Sequence, residues 1–181
     1  MSDSGVVQQP VPEDALLKSF RGGRHPERWG HHGDCFVVAV EAPVTLSEFV
    51  LAFYTSPMFR LERMILRVLA GAPSTDEEAR AVAEGSGTAF AIWSVGERTA
   101  TQLLMCDRYE KTRSWFRVVP SEGAGTILLF GSAVAASRDR QTRTVSLGRG
   151  FRWLMGFHVL YSRILVSAAR RGVMRRRRRS S

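Results

Sequence analysis

The sequence has no asparagine, only two lysines (Lys18 and Lys111) among 26 basic residues, and only two cysteines, Cys35 and Cys106. The missing asparagine and the heavy use of arginine read as codon usage of a GC-rich genome and carry no functional message. The cysteines lie far apart without a CxxC pairing, which excludes a zinc knuckle or a dithiol redox motif. They read as two small buried residues, with one disulfide left open as the alternative. There is no run of about 18 apolar residues, so no segment reads as a membrane-spanning helix. The longest apolar run is Thr126–Ala136, which suits a buried strand. The start of the chain has acid and glutamine where a secretory leader has basic residues and an apolar stretch, so a cytoplasmic location is expected.

Familiar catalytic signatures are missing as well. The chain holds no GxSxG, no phosphate-binding Walker loop, no GxGxxG, no HExxH and no pair of carboxylates at strand ends. Gly85-Ser86-Gly87-Thr88 is glycine-rich but stands between a helix and a strand, the wrong order for holding phosphate at a helix N-terminus. His25, His31, His32, Asp34 and Cys35 are the one group of metal-type side chains, and their spacing in a glycine-flanked stretch matches no metal motif. No metal and no cofactor is expected, and the catalytic residues are left unassigned.

What is present is a 181-residue chain of ordinary composition, with 44% hydrophobic and 24% charged residues, enough for one folded domain. The net charge of +9 is concentrated at the end. Seven arginines fall within Arg170–Arg179 with no acid among them, which leaves 19 basic against 17 acidic residues in the rest of the chain. The folded part is therefore close to neutral and lacks the basic footprint of a nucleic-acid-binding domain. The tail 175–181 reads as solvated, and contact with an anionic membrane surface or with RNA is the alternative.

Along the chain, residues 1–33 are rich in Pro, Gly, Gln and charge. They read as a flexible arm without a core of its own, with a short helical turn at Pro12–Phe20. Asp34–Glu41 is a strand. A helix follows from the capping box that begins at Thr45 and ends at Glu48, a second spans Met58–Ala70, and a third starts at a box beginning with Ser74 and closes at Gly85. From Ala89 the apolar period changes to two. Runs 89–95, 101–108, 114–120 and 126–137 read as four strands joined by turns at Gly96-Glu97, Tyr109–Lys111 and Glu122–Gly125, an antiparallel meander. Phe151–Met174 then has the most sustained helical period, with Leu154, His158, Tyr161, Leu165 and Ala168 on one face. A helix of that length spans about 35 Å and is long enough to lie across a sheet. The expected fold is α+β, an antiparallel sheet covered by a long C-terminal helix, with residues 34–174 as a single domain.

That order, with Phe157-His158 and Tyr161-Ser162-Arg163 in the last helix, resembles the START-like helix-grip superfamily, which includes polyketide cyclases and lipid-transfer domains. Phe53–Pro57, Arg113-Ser114-Trp115 and Phe130–Ala133 give a narrower likeness to bacterial domain families of unassigned activity. The usual helix-grip order has two helices after the first strand and six strands before the last helix, where this chain reads as three helices and four strands. The resemblance implies a pocket between the concave sheet face and the last helix, holding a small apolar molecule.

In such a pocket His158 and Tyr161 are the polar candidates on the lid, Asp107 is a candidate partner on a strand, and Trp93 and Trp115 are candidate aromatic lining. Packing explains the same residues as a capped core. Arg117 reads as solvent-facing, with a buried charge in need of a partner as the alternative. The first functional reading is a module that binds a small apolar ligand. A cyclase- or hydratase-like enzyme using His158 and Tyr161 is the second, and an interaction protein working through its tail is the third.

Overall fold

The computed structural model describes residues 5–21, 33–71 and 73–135. Within them the chain is α+β, with one seven-stranded antiparallel open sheet in the order β1-β2-β7-β6-β5-β4-β3. The strands are β1 (Val7–Gln9), β2 (Gly33–Val40), β3 (Ala89–Phe90), β4 (Trp93–Arg98), β5 (Gln102–Asp107), β6 (Thr112–Pro120) and β7 (Thr126–Val134). The helices are α1 (Leu16–Ser19), α2 (Leu46–Tyr54), α3 (Pro57–Ala70) and α4 (Asp76–Glu84). No helix among the described residues is long and apolar enough to cross a membrane. The C-terminal helix expected at Phe151–Met174 lies outside the described residues.

The meander expected from the period-two runs is present as β4-β5-β6-β7, each strand antiparallel to the next. The first strand joins it by pairing along its whole length with β7, Gly33 opposite Ala133 through Val40 opposite Thr126. The run 89–95 differs from its reading as one strand. Ala91, at φ 53°, turns the chain so that Phe90 faces Trp93 across a two-residue turn. Gly96-Glu97, expected to be a turn, lies inside β4, where the register shifts between Val95 and Glu97. That shift is a bulge, and a side chain at Gly96 would meet the Cys106 sulfur at 2.9 Å.

Helices α2 and α4 begin as the sequence dictates. The Thr45 hydroxyl accepts from the Glu48 amide at 3.2 Å while Glu48 accepts from the Thr45 amide at 2.7 Å. For α4 the box lies one residue later than expected, Thr75 with Glu78, Thr75 having the extended backbone of a cap and its hydroxyl accepting from the Glu78 amide. Gly85 ends α4 in the left-handed region at φ 87°, which costs glycine no side-chain clash. Arg98 reaches over from β4 and donates to the last carbonyls of that helix, Val82 at 2.8 Å and Ala83 at 2.6 Å.

Alternation along the strands divides the sheet into two sides. On the helix side, Phe36, Val38, Phe116, Leu128 and Phe130 pack under α2 and α4 with Phe49, Phe53 and Val82. On the outer side, Cys35, Leu104, Trp115, Leu129 and Ala133 pack under the N-terminal segment through Val11, Ala15, Leu16 and Leu17. The expectation that residues 1–33 have no core of their own is corrected for residues 5–21. β1 extends the sheet edge next to β2, and α1 rests on β5, β6 and β7.

A buried glutamine holds that segment down. The Gln102 side-chain oxygen accepts from the Leu16 amide at 3.1 Å and from the Trp115 indole at 2.8 Å, and its nitrogen donates to the Asp14 carbonyl at 3.3 Å. Close approach is secured by Gly131, directly opposite Trp115, where an added Cβ would stand 2.8 Å from the indole ring. Arg117, expected to face solvent, is half-buried on this outer side and pairs with Asp14 at 2.7 Å. The charged alternative therefore finds its partner in the segment the sequence seemed to leave loose.

Candidate functional site

The pocket expected from the sequence would use the helix side of the sheet, so the register there decides which side chains it offers. One rung across the strands is aromatic and apolar: Phe36, Phe130, Phe116 and Leu103 are successive cross-strand partners. Phe53 of α2 stacks on Phe130 at 4.7 Å and stands edge-on to Phe116 at 4.9 Å. Tyr54, beside it, contacts Phe116 at 5.5 Å and Phe90 at 4.9 Å. This part of the face is filled by rings.

The next rung is different. Asp34, Ser132 and Ser114 stand opposite one another on β2, β7 and β6, followed by Met105 and Val95. Alternation puts all three polar side chains on the same side as Phe36, Phe130 and Phe116. Ser132 is buried, and Asp34 and Ser114 are half-buried. Asp34 accepts from the Gln8 side chain of β1 at 2.8 Å, so the added edge strand also orients the carboxylate at the end of the rung. The sequence reading missed this constellation. Ser114 and Ser132 lie within strings singled out for resemblance, but only the register brings them into line with Asp34.

The two tryptophans expected to share a lining lie on opposite sides of the sheet. Trp93 belongs to the helix side, with Phe59 of α3 at 5.5 Å. Trp115 belongs to the outer side, fully buried under the N-terminal segment, with its indole N–H taken by Gln102. Trp115 therefore serves the attachment of α1.

Asp107 is on the helix side, opposite Trp93. Its oxygens are engaged by the turn that follows: one accepts from the Tyr109 amide at 2.6 Å, the other from the Lys111 amide at 3.0 Å and the Thr112 hydroxyl at 2.7 Å, with the Thr112 amide bound to it as well. A carboxylate so placed fixes the β5–β6 connection, which is what Asp does in turns. His158 and Tyr161 lie outside the described residues, as do His25, His31 and His32. No group of three or more metal-type side chains occurs among the described residues.

Both cysteines are reduced and on the outer side. They stand three strands apart, roughly 14 Å at the usual strand spacing, well beyond the reach of a disulfide. Burial pushes the Cys35 thiol up to about 11 and raises Cys106 too, so neither is tuned as a nucleophile.

A concavity of about 340 Å³ opens at the other end of the sheet between Pro43, Val44, Val118, Pro120 and Thr126. Two of its polar side chains are engaged within the fold. The Thr126 hydroxyl accepts from the Val44 amide at 2.9 Å and donates to the Ala42 carbonyl at 2.8 Å, and the Thr45 cap is closed by Glu48. Its surface is mostly apolar.

No protein-family model matches the sequence, and no curated protein matches it. Among solved structures, the chain is similar to CalU16 from Micromonospora echinospora, with 13% identity over 78% of this chain and 83% of that one and a TM-score of 0.29. A likeness of that size carries no argument about this chain.

Proposed function

We propose that the protein binds a small, largely apolar molecule on the helix side of its sheet, in a START-like helix-grip arrangement, without a catalytic role. The segment 151–174, with His158 and Tyr161, is the candidate for the opposite wall. The observation that carries this reading is the adjacency of two unlike rungs on one inward-facing surface. The aromatic rung supplies dispersion and apolar area, and the rung Asp34–Ser132–Ser114 supplies a few directing polar groups. A face used only for packing has no need of three polar side chains in register, because each must be matched or lose free energy when buried. An enzyme acting in the same place draws no support from Asp107, whose oxygens are committed to the turn.

The test is native mass spectrometry of the full-length protein, with and without added diphenylmethane. The expected result is a one-to-one small-molecule adduct, either co-purified or formed with the added probe. Ser114→Phe, which fills the polar rung, should lose it while the far-UV circular dichroism stays unchanged. A wild-type protein that carries no adduct and takes up no diphenylmethane refutes the reading.

A further inference from the structure

Trp93 and Trp115 pose the same physical problem and receive different answers. An indole N–H is a donor only, and when buried it needs an acceptor. For Trp115 the fold provides one, the Gln102 oxygen at 2.8 Å. Trp93 is 8% exposed, its nitrogen is out of reach of water, and it has no hydrogen-bond partner. A buried polar group left in this way calls for a specific explanation, such as a bound molecule or an ordered water.

Its surroundings narrow the choice. Phe59 and Phe90 flank it, Asp107 stands opposite on β5, and the Asp107 oxygens already serve the turn. Two guanidinium groups of the neighbouring elements are engaged as well. Arg63, whose guanidinium lies 5.2 Å over the Phe90 ring, donates to Ser74 and Asp76, and Arg98 donates to the α4 carbonyls. Among the described residues the environment of the free N–H is thus aromatic, and neither guanidinium is spare to neutralise an anion. Such a site favours an uncharged oxygen acceptor over a carboxylate, because an anion would be desolvated without compensation.

We infer that Trp93 is a specificity-determining residue of the proposed pocket, its indole N–H donating to a carbonyl or ether oxygen of a neutral, largely apolar ligand. This rests on the binding reading above and adds the chemical class of the ligand to it. One hydrogen bond to a ligand oxygen distinguishes it from a hydrocarbon of the same shape by about tenfold in affinity.

The experiment compares benzophenone with diphenylmethane, which differ by a carbonyl in place of a methylene, binding to full-length wild type and to Trp93→Phe. Affinity is read by isothermal titration, and the Trp93 indole proton is followed by 15N-edited NMR. The expected result is that wild type binds both probes, benzophenone about tenfold more tightly. Benzophenone alone should move the indole proton downfield, and Trp93→Phe should bind both probes equally. If wild type binds the two equally, or if the indole proton is unmoved by benzophenone because a water or the Phe59 ring already satisfies it, the inference is overturned and the pocket stands. If neither probe binds wild type, the pocket reading fails, and the inference fails with it. Should Trp93→Phe not fold, Trp93→Leu takes its place, and the wild-type indole shift still decides.

Discussion

Replacing Gln102 with methionine tests whether the N-terminal segment is an integral layer of the protein. Gln102→Met keeps an unbranched chain of nearly the same length and volume, so the change is in polarity and not in packing. The loss falls on two buried donors, the Leu16 amide and the Trp115 indole, which share the Gln102 oxygen at 3.1 and 2.8 Å. Each buried donor left without an acceptor costs about 1–3 kcal/mol. The third bond, to the Asp14 carbonyl at 3.3 Å, is longer and ends on an exposed residue that water can reach, so its loss adds little. A loss near 3 kcal/mol is expected, about a hundredfold in the folding equilibrium. Urea denaturation followed by circular dichroism measures the total, and hydrogen exchange of the peptide covering residues 11–21 shows where it falls. That peptide should exchange about a hundredfold faster, while β6 and β7 are less affected. Asp14→Ala serves as the control, because it removes the exposed ion pair with Arg117, which solvent screens, and should cost far less than Gln102→Met. A Gln102→Met protein within about 0.5 kcal/mol of wild type, with unchanged exchange over residues 11–21, would refute the attachment.

Gly131→Ala places a Cβ 2.8 Å from a fully buried indole that has nowhere to move, and should lower stability by about 1–3 kcal/mol in the same urea assay. Asp107→Asn substitutes a donor for one acceptor of the β5–β6 turn; about 2 kcal/mol should be lost, and binding of diphenylmethane should be unchanged once the protein is folded, as titration calorimetry would show. Cys35, held up near 11 against an ordinary value of 9.0, favours the folded state below pH 9 and ceases to do so as pH rises toward 11, because the unfolded thiol ionises first. Stability should therefore fall by about 1.4 kcal/mol per pH unit across that window, less steeply in Cys35→Ala, when melting is followed from pH 8 to 11. Asp76, held below the usual carboxylate range first by its hydrogen bond from Arg63, works in the opposite sense. Its contribution is complete above the ordinary carboxylate value and disappears as acid brings the pH down through the lowered one, so Asp76→Asn should flatten the acid limb of the stability curve.

The parts of the fold that were legible in the sequence are those whose signals are local. The Thr45–Glu48 box, the closure at Gly85 and the alternation of β5, β6 and β7 all lie within a few residues of what they specify. Thr75 was misplaced by one position because Ser74 beside it offers the same hydroxyl. Ala91 gave no warning of a turn, since a left-handed alanine is disfavoured and the strand pairing on either side, Ala89 with Ser94 and Phe90 with Trp93, holds it there. The N-terminal segment was harder to read. Val11, Ala15, Leu16 and Leu17 are scattered among proline and acids without a period, and the side chain that fixes them is 86 positions away. The candidate site was legible only in pieces: Trp93 was singled out as aromatic lining and lies on the helix side, but the alignment of Asp34 with Ser132 and Ser114 depends on β2 pairing with β7, which no local pattern states.

Gln102 also sets an order of events during synthesis. Residues 5–21 leave the ribosome before the strands they cover: their acceptor on β5 is made 86 residues after Leu16, and the indole on β6 and Leu129 and Ala133 on β7 later still. At about 5–20 residues per second, the segment waits on the order of 5 to 20 s with Val11, Leu16 and Leu17 unburied. β2 waits as well, since β7 is required before its whole edge is paired. A nascent chain halted before Thr126 thus carries both an unclosed sheet edge and an incompletely covered apolar segment, the kinds of surface that make partly made chains prone to aggregate.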